Sequence, residues 1–495
     1  MRYDSAVLFV ERCRDPIREE PLGPMNKRVL LVYPPSGRLL REDRCQIPAK
    51  NIVMSPPVPP MDLLYLAAVA ERSGCECRVR DYSVAGRGSA DFLRDLESYR
   101  PDYLLVSITT PSIEGDMAQI AAAKRVLPGL RTVAKGAHFL VNSEEVLDRY
   151  PQLDMAIRGE AELTFGDVVT GKDPASIPGL TWRGAAAIVR NPDRPYLEDL
   201  DSLPFPARHL VDNGSFVRPD TGALQTVIKV SRGCPYHCFF CLATPVSGSK
   251  ARKRSPQNIA AEIVECQEKY GIRNFIFWSD FFTQDKAWVL DLCRAIRGTG
   301  LNITWSANTR ASAMDEELAR EMKNAGCSLV SIGVESGNQQ ILDRIGKKVS
   351  LDEIRKAFAV LRRAKISTLA YYLLGLPWET HATMEETVRF SIELDSDFAS
   401  FFVATPFPGT RFYDYATAQG LFSDPSGEPS FGSAYHGASV RGHFLSREEI
   451  GMWRTRAIRR YLLRPKYIVR MLSRVRSLRE LGNYAVAGMQ ALRNG

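Results

Sequence analysis

The chain has 495 residues and a mass of 55.3 kDa, which predicts about two to four domains rather than one compact core. Its composition, 45% hydrophobic and 25% charged, is typical of globular proteins and excludes fibrous and disordered classes. The formal net charge of +8 is mild for this length, and no apolar run predicts a membrane-spanning helix.

The first residues mix acidic and basic side chains and lack the long apolar core of a secretory leader. We therefore predict an N-terminal extension over residues 1–26 and a reducing, cytoplasmic location. In such a compartment, clustered cysteines indicate metal ligands rather than disulfides.

Residues 27–171 alternate short β-rich runs with helical patterns, which predicts an α/β domain. The predicted strands cover residues 28–33, 77–81, 102–110, 131–136 and 155–160, and a helix follows each of them. Five such repeats predict a parallel, doubly wound sheet that binds its ligand at the carboxyl ends of the strands. No G-x-G-x-x-G follows the first strand, which argues against a dinucleotide.

Residues 172–224 are rich in proline and glycine, which predicts a linker that contains a hairpin (LTWRGAAAIVR). A second β/α series covers residues 225–440. Its six predicted strands cover residues 226–233, 274–280, 303–310, 328–337, 368–378 and 398–410. They predict an open, partial (β/α)6 barrel, whose loops after the strand ends carry chemistry.

Residues 441–495 differ in kind, because they are helical and strongly basic. Ser446 and Glu449 form a capping box, and the helical pattern breaks near Pro465 and resumes up to Gly482. Twelve Arg and one Lys against three Glu give 13 − 3 = +10, which leaves 8 − 10 = −2 for the other 440 residues. Because these 440 residues are nearly neutral, we do not expect a nucleic-acid partner. The tail predicts either a solvated helical face packed on the barrel or peripheral contact with anionic lipid or an acidic partner.

Three cysteines, Cys234, Cys238 and Cys241, follow the first barrel strand on one loop. Three thiolates can each bind one iron of a cubane and leave the fourth iron open. A small molecule with an amine and a carboxylate can chelate that iron. A zinc site that includes His237 is the alternative, but His237 is adjacent to Cys238, which makes shared tetrahedral geometry awkward.

The C-x-x-x-C-x-x-C spacing, with Phe240 before the last cysteine, resembles the signature of radical S-adenosylmethionine (SAM) enzymes. Further motifs are similar to the subfamily with an N-terminal cobalamin-binding domain. They are R-x-R-S-P at residues 252–256, WSDFF, GVESG, GLPWET and PFPGT. The resemblance covers about residues 28–421.

The resemblance implies site residues for two cofactors, a [4Fe-4S] cluster and SAM. Cys234, Cys238 and Cys241 would bind the cluster. The expected SAM contacts are Phe240, Asp280 (amino group), Arg310 (carboxylate), Glu335 and Ser336 (ribose) and the segment from Gly375 to Glu379 (adenine side). No catalytic residue is assigned.

The resemblance also implies cobalamin on the N-terminal domain, although the D-x-H-x-x-G motif is absent. Lys135 stands where relatives usually carry the first glycine of a paired-glycine loop, and His138 follows it.

The implied function is reductive cleavage of SAM followed by functionalisation of an unactivated carbon. We expect cobalamin-dependent C-methylation of a small-molecule or lipid-like biosynthetic intermediate, with flavodoxin or ferredoxin as electron donor. One alternative is a radical reaction without methylation, such as oxidative cyclisation, ring contraction or deoxygenation. Another is a SAM- or redox-sensing binding protein without turnover.

Overall fold

The computed structural model describes most of the chain. The described residues are 27–37, 39–41, 46–48, 58–83, 86–218, 220–422, 438–475, 480–483, 485–486 and 488–489. The predicted extension over residues 1–26 lies outside this part of the chain.

The N-terminal sheet has seven strands. They are β1 (Arg28–Tyr33), β4 (Glu76–Asp81), β5 (Tyr103–Ser107), β6 (Arg131–Lys135), β7 (Met155–Ile157), β8 (Leu180–Arg183) and β9 (Ile188–Arg190), in the order β4-β1-β5-β6-β7-β8-β9. The first five are parallel, as predicted, while β8 and β9 are antiparallel. The hairpin predicted in the linker therefore extends this sheet. A small separate hairpin, β2 (Leu39–Arg41) and β3 (Gln46–Pro48), follows β1.

Helices cover both faces of this sheet. They are α1 (Met61–Arg72), α2 (Ser89–Tyr99), α3 (Ile113–Val126), α4 (Phe139–Arg149) and α5 (Ala161–Val169). Side chains alternate along β1, so that Val29 and Leu31 pack in one core while Leu30 and Val32 pack in the other. Two cores on one parallel sheet confirm the doubly wound architecture.

The second sheet has six parallel strands in sequence order. They are β10 (Gln225–Lys229), β13 (Asn274–Trp278), β14 (Thr304–Thr309), β15 (Cys327–Glu335), β16 (Ser367–Leu374) and β17 (Phe398–Val403). The helices of this series are α6 (Ala243–Ser247), α7 (Pro256–Tyr270), α8 (Lys286–Gly298), α9 (Glu316–Asn324), α10 (Gln339–Arg344), α11 (Leu351–Arg363), α12 (His381–Leu394) and α13 (Arg411–Ala418). Among the described strands, β10 and β17 do not pair, so the predicted open, partial barrel is confirmed.

A short antiparallel pair, β11 (Ser231–Arg232) and β12 (Arg252–Lys253), flanks the cysteine loop. Two helices, α14 (Arg447–Leu462) and α15 (Pro465–Arg474), follow the barrel, and residues 480–483 are again helical. The break between α14 and α15 lies where Pro465 predicts it, since proline is favoured at the first position of a helix. Of the helices that the structure describes, none is long and apolar enough to cross a membrane.

Candidate active site

The cysteine loop runs from β11 to α6 at the carboxyl end of the first barrel strand. Cys234 is buried, and Cys238 and Cys241 are partly exposed. A Cβ atom on Gly233, which has φ +93°, would lie 2.1 Å from the Lys250 carbonyl oxygen, so only glycine fits before Cys234. The loop therefore packs closely against residues 247–250.

Backbone bonds hold the loop on both sides. The Cys234 N–H donates to the Gly248 carbonyl (3.1 Å), and the Phe239 N–H donates to the Ile345 carbonyl (2.9 Å). The Ala243 N–H donates to Cys241 Sγ (3.4 Å). The loop thus presents three sulfur atoms on a fixed backbone.

The three sulfur atoms do not converge on one point. Among the described residues, no three His, Cys, Asp or Glu side chains are grouped closely enough to hold a single metal ion. In a cubane each cysteine binds a different iron, so the ligands need not converge. Three thiols on one loop fit such a cluster.

Asp280 lies two residues after the end of β13. Its Oδ2 atom accepts a 2.6 Å hydrogen bond from the Gly233 N–H, directly before Cys234. Asp280 also lines the large cavity described below. Its carboxylate therefore connects the cysteine loop with the cavity wall.

Arg310, at the end of β14, is buried beside the cysteine loop. Its guanidinium group lies 3.7 Å from the centre of the Tyr236 ring, and its Nη1 atom lies 3.7 Å from Cys238 Sγ. Its Nη2 atom donates to the Lys347 carbonyl oxygen. A fixed positive charge therefore lies next to one of the three thiols.

Glu335, the last residue of β15, and Ser336, which follows it, were both expected at the ribose but differ in placement. Glu335, with φ +66°, accepts a 2.6 Å hydrogen bond from Lys347 Nζ and lines the cavity. Ser336 is fully buried, and its hydroxyl pairs with Thr387 Oγ1 (3.1 Å) and accepts from the Asn338 N–H. Ser336 thus contacts the barrel helices and does not line the cavity.

Gly375 begins the turn after β16, where its φ of +88° requires glycine. The N–H groups of Gly375 and Leu376 donate to Glu379 Oε2 at 2.7 and 2.8 Å. Glu379 Oε1 is buried without a partner, and burial raises the pKa of this carboxyl to about 8. A Cβ atom on Gly375 would lie 2.8 Å from Ile450 of α14, so the C-terminal helix packs directly on this turn.

A cavity of about 580 Å³ lies between the two sheets, at the carboxyl ends of both sets of strands. Its N-terminal wall includes Asp62, Lys135, Gly136, Ala137 and Gly159, and its barrel wall includes Phe240, Asp280, Asn308, Glu335, Tyr371 and Phe402. Of the expected site residues, only Phe240, Asp280 and Glu335 line it; the three cysteines, Arg310, Ser336 and Gly375 do not. The small residues on the N-terminal wall expose backbone, which suits a broad, flat ligand.

Lys135 forms a buried polar cluster in that N-terminal wall. Its Nζ atom pairs with Asp62, which also accepts hydrogen bonds from Tyr33 and from Ser107 (2.8 Å). His138 lies outside the cavity wall and contacts Thr110 Oγ1 (3.2 Å). Burial lowers the pKa of His138 to about 4.

A second buried network joins the start of α5 to the β11–β12 pair, and the sequence did not reveal it. Arg252 donates to both oxygens of Glu160 (2.8 and 2.9 Å), and Arg232 donates to Glu162 (2.6 Å). Burial favours the neutral form of Glu162, but the Arg232 guanidinium outweighs this effect and keeps the pKa of that carboxyl below its usual range. Arg254, the other arginine of R-x-R-S-P, pairs with the buried Glu262 instead.

Two family models match this chain. The radical SAM superfamily model covers residues 228–391, and the B12 binding domain model covers residues 51–169. The chain belongs to the radical SAM superfamily. Its B12-binding domain precedes the radical SAM domain, so the resemblance predicted from the cysteine spacing and the strand-end motifs is confirmed.

Individual proteins similar to this radical SAM chain differ in their named activities. An uncharacterized methyltransferase of Pyrococcus horikoshii is 28% identical over 447 residues, which are 90% of this chain and 94% of that protein. The anaerobic magnesium-protoporphyrin IX monomethyl ester cyclase of Cereibacter sphaeroides is 27% identical, over 72% of this chain and 60% of the cyclase. The cobalamin-dependent SAM radical enzyme OxsB, solved with aqua-cobalamin and SAM bound, has the same fold (TM-score 0.72, 14% identity, 95% of this chain and 72% of OxsB).

Proposed function

We propose that this radical SAM protein is a cobalamin-dependent enzyme that methylates an unactivated carbon of a small-molecule or lipid-like biosynthetic intermediate. The observation that supports it most is the cavity whose walls are the carboxyl-terminal edges of both sheets. Two cofactors bound at these edges, one on each sheet, would face each other across this single space. The P. horikoshii relative is also named a methyltransferase.

Different residues would bind the cluster and the cobalamin. The thiols of Cys234, Cys238 and Cys241 would hold a [4Fe-4S] cluster, and the backbone of Gly136, Ala137 and Gly159 would face a corrin ring. When bound, the cluster supplies the electron that cleaves SAM, and the cobalamin supplies the methyl group.

The side chains of this chain would bind and orient SAM between these groups. Asp280 offers a carboxylate to the SAM amino group, and Arg310 a cation to its carboxylate. Glu335 would accept from the ribose hydroxyls, with Ser336 buried behind it, and the turn at Gly375 would lie on the adenine side. Phe240, Tyr371 and Phe402 would exclude water from the reacting carbon.

The partners that we propose follow from the same chemistry. A small reduced electron carrier, such as flavodoxin or ferredoxin, would deliver electrons to the cluster. We also propose that the protein is cytoplasmic and that its basic C-terminal segment rests peripherally on the anionic inner face of a membrane. The +10 charge of residues 441–495 supports that contact.

A second candidate is ring formation without methylation, because the second relative is a cyclase. The two are distinguished with SAM that carries a deuterated methyl group. Anaerobically reconstituted protein is given reductant, hydroxocobalamin and a pool of small metabolites, and the products are analysed by mass spectrometry.

A product that carries the labelled methyl group is expected. An altered product without the label would favour cyclisation and contradict methylation. Absence of any SAM consumption would favour a sensing protein.

A further inference from the structure

Helices α14 and α15 expose an unusual number of aliphatic side chains. Val469 is 66% exposed, Met452 63%, Leu463 and Leu472 55% each, and Ile468 42%. These residues lie within a single stretch of 21 positions, whereas scattered single exposures are the usual pattern for a protein surface.

The solvent-facing side of α15 is aliphatic, unlike that of an ordinary surface helix. Tyr467 is buried against Tyr461 (5.2 Å between ring centres), and Arg470 Nη1 lies 3.2 Å from Asp395 Oδ2 of the barrel. Since side chains three and four positions apart share a face, Ile468 and Leu472 lie on the opposite side. The inward face of α15 thus combines Tyr467, Arg470 and Met471, while the side that carries Ile468 and Leu472 is aliphatic and turned to solvent.

Helix α14 adds a matching stripe. Met452, Arg456, Arg459 and Leu463 are spaced at i, i+4, i+7 and i+11, and all four are exposed. Two aliphatic side chains therefore flank two cations along one side of α14, up to its junction with α15.

The charge of this segment is of one sign. Residues 450–474 contain no Asp or Glu. Their eight cations are Arg454, Arg456, Arg459, Arg460, Arg464, Lys466, Arg470 and Arg474. Arg460, Arg464 and Arg470 pair with acids of the barrel. Lys466 Nζ also lies 2.9 Å from Asp395 Oδ2, although its side chain is 80% exposed, and Arg456 lies 3.8 Å from Glu385. Arg459 is exposed.

We infer that Met452, Leu463, Ile468, Val469 and Leu472 insert into an anionic lipid surface, with Arg456, Arg459 and Lys466 at the level of the headgroups. This lipid face, as we call these eight residues, specifies the peripheral membrane contact proposed above and rests on it. Aliphatic side chains beside cations are the pattern that binds the headgroup and acyl boundary.

The charge pattern disfavours a second copy of the chain as the occupant. A symmetric dimer through the lipid face would place cations against cations, with no acid of residues 450–474 between them. Nucleic acid is disfavoured as well, because it would leave the aliphatic side chains in water.

The test uses the full chain and two kinds of vesicle, phosphatidylcholine alone and phosphatidylcholine mixed with phosphatidylglycerol. Wild type should co-sediment with the mixed vesicles and much less with phosphatidylcholine alone. The Val469→Gln/Leu472→Gln and Arg456→Glu/Arg459→Glu variants should each bind the mixed vesicles about tenfold more weakly.

Matched controls change exposed side chains elsewhere. Val189→Gln, on β9, and Arg94→Glu/Arg320→Glu, on α2 and α9, should bind like wild type. Size-exclusion chromatography and thermal melting show whether each variant remains folded and in the same oligomeric state.

The outcomes separate the two claims. If the wild-type protein does not bind anionic vesicles, the proposed membrane contact and the lipid face are both overturned. Wild type that binds while both lipid-face variants bind equally well would overturn the lipid face only. A wild-type dimer that these variants dissociate would assign the face to a second copy and overturn the inference.

Discussion

Arg232 of β11 donates a 2.6 Å hydrogen bond to Glu162 at the start of α5, and so joins the barrel to the N-terminal domain. Arg232 lies two residues before Cys234, the first cysteine of the loop. Both side chains are largely buried, at 12% and 10% exposure. The position of the cysteine loop is thus fixed directly against the domain on the other side of the cavity.

We therefore expect Glu162→Gln to uncouple SAM cleavage to 5′-deoxyadenosine from the methyl transfer that forms S-adenosylhomocysteine. Formation of 5′-deoxyadenosine should persist, because the cysteine loop keeps its own backbone bonds. The ratio of S-adenosylhomocysteine to 5′-deoxyadenosine should fall several-fold. Glu262→Gln is the matched control, since it weakens the buried pairs of Glu262 with Arg208 and Arg254 at a similar cost of about 3 kcal/mol. An unchanged product ratio in Glu162→Gln would contradict a positioning role.

Cys238→Ala should abolish both SAM products and most of the bound iron, because the cubane loses one of three protein ligands. Iron content and the visible absorption of the reconstituted protein provide the measurement. Cys266→Ala, in the barrel core, should lower stability but keep the iron. Full iron content in Cys238→Ala would exclude this cysteine as a ligand.

Arg310→Gln should lower the reduction potential of the cluster. The guanidinium group, 3.7 Å from Cys238 Sγ, stabilises the more negative, reduced state, and glutamine removes that charge. Arg344→Gln, which removes a cation that stacks on Trp378 instead, serves as the control. Potentiometric titration followed by electron paramagnetic resonance measures both, and equal potentials in the two variants would contradict the assignment.

Glu379 predicts a pH dependence of stability. Its pKa in the folded protein is raised to about 8 from 4.5, so the folded state holds a proton that the unfolded state releases. The free energy of unfolding should therefore fall as the pH rises from about 4.5 to about 8, by up to about 1.4 kcal/mol per pH unit.

Glu379→Gln cannot ionise and still accepts the Gly375 and Leu376 N–H bonds. Its unfolding free energy should thus depend less steeply on pH over this interval. Urea unfolding at several pH values measures both slopes, and parallel slopes would show that Glu379 is ionised in the folded protein.

The sequence predicted the features that depend on neighbouring residues. Strand periodicity placed β1, β13 and β15, and the cysteine spacing placed the loop after the first barrel strand. The break before Pro465 was likewise local, because proline restricts its own backbone and that of the preceding residue.

Features that depend on pairing between residues far apart in the chain could not be predicted from the sequence. Glu160 and Arg252 are 92 positions apart, and nothing near either residue indicates the other. Ser336 follows Glu335 directly, yet the close contact of residue 337 with α12 turns Ser336 toward Thr387. The hairpin of β8 and β9 was predicted, but its addition to the sheet depends on the free edge of β7.

The most direct test of the central claim measures the yield of the two SAM products with and without hydroxocobalamin. The protein is reconstituted anaerobically with iron and sulfide and is given a reductant and the pool of small metabolites. We predict S-adenosylhomocysteine and 5′-deoxyadenosine in equal amounts, with the former formed only when cobalamin is present. Deoxyadenosine alone, in the same amount with or without cobalamin, would contradict cobalamin-dependent methylation.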